Sequence, residues 1–419
     1  MGENGALPET SDQLVRCIVC ERQTVEQFLD LGRTALANKF LTREELSTCE
    51  PIYPLQVGFC HTCGHVQLTE TVPPSAMFED YLYISSASDT LKAHLYAVSD
   101  LLVERYHLTA EDLVIDIGCN DGTLLSGFQR HGVQTLGVDP AQNLADFAGA
   151  LGIERYTAFF NARTAKDITQ KWGQASVITA TNTFPHIPEL PDFVAGLNTA
   201  LAPGGVFVVE MHYLVDLLEQ RAFDTVYHEH VSYWALQPMK FLFAQHGMQI
   251  VHAERVPLHH GQLRVSIQRQ GEGYVQPSVA EILDMEHACG VDQFETYQRF
   301  AQQTQQLKQE LHSTMATLRA QGRRIVGYGA PAKGNTLLSF LEIGPDTVQY
   351  IADRSPLKQG RYTPGSHIPV VSPDRLLTDQ PEYVLLLAWN FADEILQQQA
   401  EYRKRGGKFI LPVPEVRII

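Results

Sequence analysis

The chain has 419 residues, 44% of them hydrophobic and 19% charged, with a formal net charge of −16. That length accommodates two or three domains of the soluble globular class, each with its own core. So acidic a chain argues against nucleic acid held through its phosphates, and no apolar run reaches the ~20 residues a membrane-spanning helix requires. A small anionic ligand is compatible with this charge, because screening over ~8 Å leaves local cations and backbone N–H groups to decide such binding.

Residues 1–13 are polar and lack the basic and apolar regions of a signal peptide, so a cytoplasmic protein is expected, with no membrane partner. Cys17-x-x-Cys20 and Cys60-x-x-Cys63 follow. Each pair fits a tight turn presenting two sulfurs to one ion, and two such turns complete a tetrahedron. Four thiolates leave no open coordination position, so the expected Zn2+ is structural. The competing reading is four free thiols. His61 and His65 could substitute for a ligand; the competing reading makes them surface residues. Segment 1–75 is expected to be a zinc-binding module, too small for a generous core without a metal, ending near Pro73-Pro74.

Segment 76–275 opens with a predicted helix, 91–106, and then alternates strands and helices. LVIDIG, TLGVD, SVITATN and GVFVVEM read as strands, with helices expected from Thr123, Ala141 and Leu190 and after the fourth strand. Two further strands are expected in 246–270. Such alternation predicts a parallel sheet covered by helices on both faces. The turn after the first strand holds Asp116, Gly118, Asn120, Asp121 and Gly122 in the pattern D-x-G-x-x-x-G. Its glycines let backbone approach a ligand. The second strand ends at Asp139, placed to accept hydrogen bonds from ribose hydroxyls. The dinucleotide fingerprint G-x-G-x-x-G is absent, which favours S-adenosylmethionine (SAM) over NAD. Phe160, Asn161 and Asn182 lie at or after later strands and are candidates to frame adenine and the methionine end. Ordinary packing and turn chemistry is their competing reading.

The densest cluster of chemistry is 223–234, FDTVYHEHVSYW, with Tyr227, His228, Glu229, His230 and Tyr233. His186, and Glu210-Met211-His212, are expected at the same carboxyl edge. Imidazole titrates near neutrality and is the commonest general base. Carbon methylation needs a carbanion equivalent, which His230 could generate beside a ketone while tyrosine or histidine donors stabilise the enolate oxygen. The alternative is a histidine network that holds a loop. Gln262 and Arg264 follow a glycine turn, and Arg264 is a candidate phosphate ligand.

A helical connector is expected over 276–320, and a second Rossmann-like α/β unit over 321–419. There RRIVGYG reads as a strand leading to a helix that starts near Lys333. A helix N-terminus with free N–H groups suits phosphate, and Lys333 adds positive charge. TVQYIAD, EYVLLLAW and KFILPVP read as strands, and 391–406 as a helix. The fold class is α/β, and two such units in one chain suggest two ligands meeting in a cleft.

Taken in order, the two cysteine pairs, LDLGRTALANKF, YLYISS, IDIGCNDGTLL, the 182–186 stretch, FDTVYHEHVSYW, HGQLRV and GYGAPAKGNTLL resemble the sugar C-methyltransferases of deoxysugar biosynthesis. The likeness spans nearly the whole chain. It implies an N-terminal zinc module, a central class I SAM-methyltransferase domain, and a C-terminal Rossmann-like domain that holds a nucleotide-sugar, most simply a dTDP-4-keto-deoxysugar. It implies methylation beside the 4-keto group, with His230 as base. Tyr81, His186, Tyr227 and Glu229 match positions lining the family's sugar pocket; Lys333 and Asn335 match its phosphate-proximal turn. Tyr83, His228 and Tyr233 are further substrate-side candidates. Gln262 and Pro331 depart from the small residues the family carries there, which bears on the nucleotide or sugar that fits. The expected assembly is a monomer or homodimer. The remaining alternatives are a methyltransferase of the same fold with a non-sugar acceptor, and a non-catalytic nucleotide-sugar-binding protein.

Overall fold

The computed structural model describes residues 14–78, 81, 84–258 and 261–419. Three sheets organise them. In the first, Gln23–Thr34 and Tyr53–Cys60 pair antiparallel, with Val66–Leu68 beside them. Alternation along these strands turns Val25, Leu29, Leu55, Val57 and Phe59 inward. The last strand of this five-stranded sheet, Ser232–Tyr233, comes from the central segment and pairs with Val66 and Gln67. The cysteine-bearing sheet and the 223–234 stretch are therefore physically joined.

The central sheet has seven strands in the order Met248–Val256, Gln262–Arg269, Leu201–His212, Ala175–Thr181, Leu113–Ile117, Gln134–Val138, Arg155–Tyr156. Every residue of Leu113–Ile117 is buried, as expected for a strand covered on both faces. Gln262–Arg269 runs antiparallel between its two neighbours, and the other contiguous pairings are parallel. Strand order reverses between Leu113–Ile117 and Ala175–Thr181, so a crevice opens beyond their carboxyl ends.

Helices Pro277–Cys289 and Phe294–Ala320 lead to the third sheet. Its order is Val370–Val371, Ile351–Ala352, Ile325–Tyr328, Tyr383–Leu386, Lys408–Leu411, Arg417–Ile418, parallel but for the last strand. One continuous buried core runs through all three sheets. Among the described residues no helix is long and apolar enough to cross a membrane.

Candidate active site

A cavity of about 740 Å³ opens at the carboxyl edge of the central sheet, within the size range of ligand sites. All three parts of the chain line it. Asn38 comes from the first, the Gly118–Asp121 turn, Asp139, His186, His212, Tyr227 and His230 from the second, and Lys333, Asp353 and Lys358 from the third.

The turn after Leu113–Ile117 is shaped for close approach. Gly118 has φ +74°, and a Cβ there would lie 2.1 Å from Thr183 Oγ1. Asn120 also has positive φ, and its N–H donates to Asp139 Oδ2 at 2.9 Å. The other Asp139 oxygen accepts from Ala141 N–H and from Arg155. A carboxylate has about four lone-pair sites, so acceptor capacity remains for a ribose diol. Burial raises the Asp139 carboxyl, while these N–H donors and Arg155 hold it down. Asp116 sits below the turn, bonded to Thr179 Oγ1 at 2.7 Å, and burial pushes its carboxyl up to about 7. Asn120 and Asp121 side chains accept from Ser85 and Ser86 N–H, tying segment 84–87 against this turn. Phe160 and Asn182 line the cavity too, and Asn182 Oδ1 accepts from Gln262 at 3.2 Å. Asn161 lines it while its side chain caps helix Ala162–Trp172. Gly122 is the N-terminal residue of helix Thr123–Gln129, outside the cavity wall, where a Cβ would press on Ile153. Asp139→Ala is expected to weaken SAM binding by about 10- to 100-fold, the scale of a charge-assisted bond lost. Calorimetric titration with SAM checks this, and an unchanged Kd would place the ribose elsewhere.

Opposite lies a stack of imidazoles. His230 is 4.4 Å from His212 and 5.2 Å from His186, centroid to centroid, with nearly parallel rings. His230 Nδ1–H donates to Thr225 O at 2.8 Å, leaving Nε2 as the lone-pair nitrogen, which receives the Tyr227 hydroxyl at 2.7 Å. Burial, then the neighbouring His212 and His186, hold His230 well below the usual imidazole range. Burial lowers His186 to about 4 and His212 to about 3. The cluster is neutral near pH 7. The Nε2 atoms of His186 and His212 are buried without a hydrogen-bond partner in the described structure. Glu229 is behind the wall: both its oxygens accept from Asn38 Nδ2, and Tyr81 OH donates to Oε2 at 3.0 Å. Burial pushes its carboxyl up to about 7.

Several expected ligand residues stand elsewhere. Arg264 is not at the cavity; it is buried against Glu210 and Glu254, at 2.6 and 3.3 Å, where its guanidinium joins His94 and Arg105 in neutralising sheet carboxylates. His228 Nε2 donates to Pro54 O, tying 223–234 to the first sheet, and Tyr233 is a buried strand residue packed near His212. Asn335 is also outside the wall, donating to Ala37 O at 2.7 Å. Tyr83 lies outside the described residues. Lys333 does line the cavity, as do Gln262 and Pro331. Asn38 and Lys358 were not singled out, because nothing in their local spacing marks them; only the tertiary fold brings them here.

The cysteine sulfurs converge as expected. All four lie within 4.8 Å of one another, with Cys17–Cys63 at 3.6 Å and Cys20–Cys60 at 3.5 Å. Tetrahedral Zn–S bonds of ~2.3 Å imply sulfur separations of about 3.8 Å, so the donor set fits zinc. His65, expected at the surface, is fully buried: its ring packs on Trp234 at 4.4 Å and Nε2 meets Ser232 Oγ at 3.2 Å. The strand from the central segment covers it. His61 is exposed and pairs with Glu26.

Fold and site together define the class, a SAM-dependent class I methyltransferase carrying a structural four-cysteine zinc site. Family models agree: a zinc binding domain matches residues 17–78, a methyltransferase domain 93–253 and a C-methyltransferase C-terminal domain 257–414. C-methyltransferase NovU of Streptomyces niveus is 36% identical over 404 residues, 96% of each chain. The chain therefore belongs to the C-methyltransferase family that includes NovU. A ubiquinone biosynthesis O-methyltransferase of Methylobacterium nodulans is 30% identical over 95 residues, 22% of this chain and 38% of its own. Magnesium protoporphyrin IX methyltransferase of Synechocystis, solved with bound SAH, shares 14% identity over 43% of this chain and 83% of its own, at a TM-score of 0.34.

Proposed function

We propose that the enzyme methylates the carbon next to the ketone of a nucleotide-linked 4-keto-deoxysugar, with His230 as the base. The observation that carries this reading is a neutral imidazole lining a cavity shared with the Gly118–Asp121 turn, its Nδ1–H held by Thr225 O and its Nε2 engaged by the Tyr227 hydroxyl. Bound SAM supplies an electrophilic methyl group on a sulfonium sulfur. His230 Nε2 takes the proton from the carbon beside the ketone, and the electron pair moves onto the ketone oxygen. In taking the proton Nε2 gives up the Tyr227 hydroxyl, which is then free to donate to that oxygen, and the Lys333 ammonium adds positive charge to the cavity wall. The enolate carbon then takes the methyl group, forming the C–C bond as the C–S bond breaks. A nucleotide-linked substrate is supported by Lys333 and Lys358, a half-buried and a buried lysine lining the cavity of an acidic chain. Asn38 and Tyr81, held from behind by Glu229, form a polar wall suited to sugar hydroxyls.

The test is incubation with SAM and a panel of dTDP-, GDP- and CDP-linked 4-keto sugars, together with deuterium wash-in at the carbon beside the ketone in D2O without SAM. Methyl transfer to a panel member is expected, with wash-in at the same carbon. No transfer to any member would remove the sugar reading and favour another carbonyl acceptor.

A further inference from the structure

We infer that Trp389, acting through Asp224, is a positioning residue for His230, so the C-terminal unit sets the competence of the base as well as lining the substrate cavity. This rests on the reading of His230 given above. The tautomer of His230 depends on one backbone carbonyl, Thr225 O. That carbonyl belongs to the short turn Phe223–Thr225, and what grips this turn is the C-terminal unit. Asp224 is fully buried, and its Oδ2 accepts from Trp389 Nε1 at 2.6 Å. One residue past the turn, Val226 O accepts from Thr336 Oγ1 at 3.0 Å. Phe223 packs on Phe340, ring centroids 5.2 Å apart. The donors on both sides of Thr225 thus come from the third sheet's helix and loop.

Trp389 does not line the cavity, although its neighbours Ala388 and Asn390 do. It meets the site indirectly: Lys333 Nζ, on the cavity wall, lies 4.6 Å from its ring. Asp224 Oδ1 has no hydrogen-bond partner among the described residues; the indole N–H is the side-chain hydrogen bond that orients this buried carboxylate, with the Lys333 ammonium adding charge attraction. Losing it frees the turn, and Thr225 O no longer dictates which imidazole nitrogen carries the proton.

The experiment compares wild type, Trp389→Phe, Asp224→Ala and the double variant. Phenylalanine keeps a ring under Lys333 and removes only the N–H. The readouts are kcat and KM for the nucleotide-linked keto-sugar acceptor, SAM affinity, and 15N NMR of the His230 imidazole. In wild type, the NMR is expected to show a protonated Nδ1 and a bare Nε2. Trp389→Phe should mix the tautomers and lower kcat by roughly 10²-fold, the scale of a misplacement near 1 Å, with KM and SAM affinity unchanged. The double variant should be no worse than Asp224→Ala, since both break the same bond. An unchanged kcat and tautomer in Trp389→Phe, or a wild-type His230 protonated at Nε2, would overturn the inference. If one variant fails to fold, the other breaks the same bond from the opposite end, and the wild-type spectrum decides independently. A tautomer shift in an enzyme that methylates no sugar would sustain the positioning role and remove only the substrate reading.

Discussion

His230→Ala is expected to lower methyl transfer on the order of 10³-fold while SAM affinity stays near wild type. The reason is spatial. The imidazole lines the same cavity as the Gly118–Asp121 turn proposed to bind SAM, and none of its hydrogen bonds reaches Asn120, Asp121 or Asp139. Deuterium wash-in should fail with it, because proton removal precedes methylation. Wash-in at the wild-type rate would assign the base elsewhere, and loss of SAM binding would make the residue structural. The pH profile provides a second check. A base must be neutral to act, and burial with two neighbouring imidazoles depresses His230. Activity should therefore persist below pH 6.5 and fall only as pH drops through that depressed value. Glu229, raised to about 7 by burial, would produce a limb near neutrality instead. The position of the acid limb separates the two groups.

Folding should show the same imidazoles with a defined sign. His65, His186 and His212 have native values depressed to about 3, 4 and 3, against 6.5 for the unfolded chain. The unfolded state thus binds more protons below pH 6.5, and these groups withdraw stability as pH falls from there towards their native values. Glu229 and Asp116, raised to about 7, act oppositely and withdraw stability as pH rises through that value.

What could be read from the sequence follows from how local its causes are. The strand-to-helix turn at Gly118–Asp121 was legible because strand, glycine turn and acid lie close in sequence, and each requirement restricts residue type: Gly118 needs positive φ and has no room for a Cβ. The cysteine pairs were legible for the same reason. The strands Gln23–Thr34 and Tyr53–Cys60 were not assigned, because several positions of the first are exposed and the two pair with each other across a long stretch of intervening chain. TVQYIAD was expected as a full strand, yet only Ile351–Ala352 joins the sheet. The helix expected over 391–406 breaks at Gln399 into Ala392–Gln398 and Ala400–Lys404. Arg264 shows the limit most plainly. A cation beside a glycine turn suggested phosphate, but Glu210 and Glu254 claim it once the sheet forms, and neither is adjacent in sequence. Asn38 shows the reverse, an inconspicuous amide that the fold places on both oxygens of Glu229.

Cys60→Ser should cost more stability than any other single substitution considered, and activity should fall with it. A structural zinc held by four thiolates contributes folding energy directly, on the order of 10 kcal/mol in isolated zinc-binding peptides, and removing one thiolate forfeits a large part of that. The consequence extends past the module, because Cys60 ends strand Tyr53–Cys60, whose partner Val66–Leu68 pairs with Ser232–Tyr233. His65, one turn from the ligands, touches Ser232. Ser232 is two residues from His230. Loosening the cysteine turns therefore loosens the strand that follows His230, and Pro54, at the other end of the same strand, holds His228. Thermal unfolding of Cys60→Ser, and of wild type after exhaustive chelation, should show a lowered Tm with zinc released in solution. Turnover lost on chelation should return on adding Zn2+ if the sheet refolds around the metal. A variant that melts at the wild-type temperature and keeps its kcat would show that the hydrophobic face of the five-stranded sheet suffices, and that the metal does not support the base.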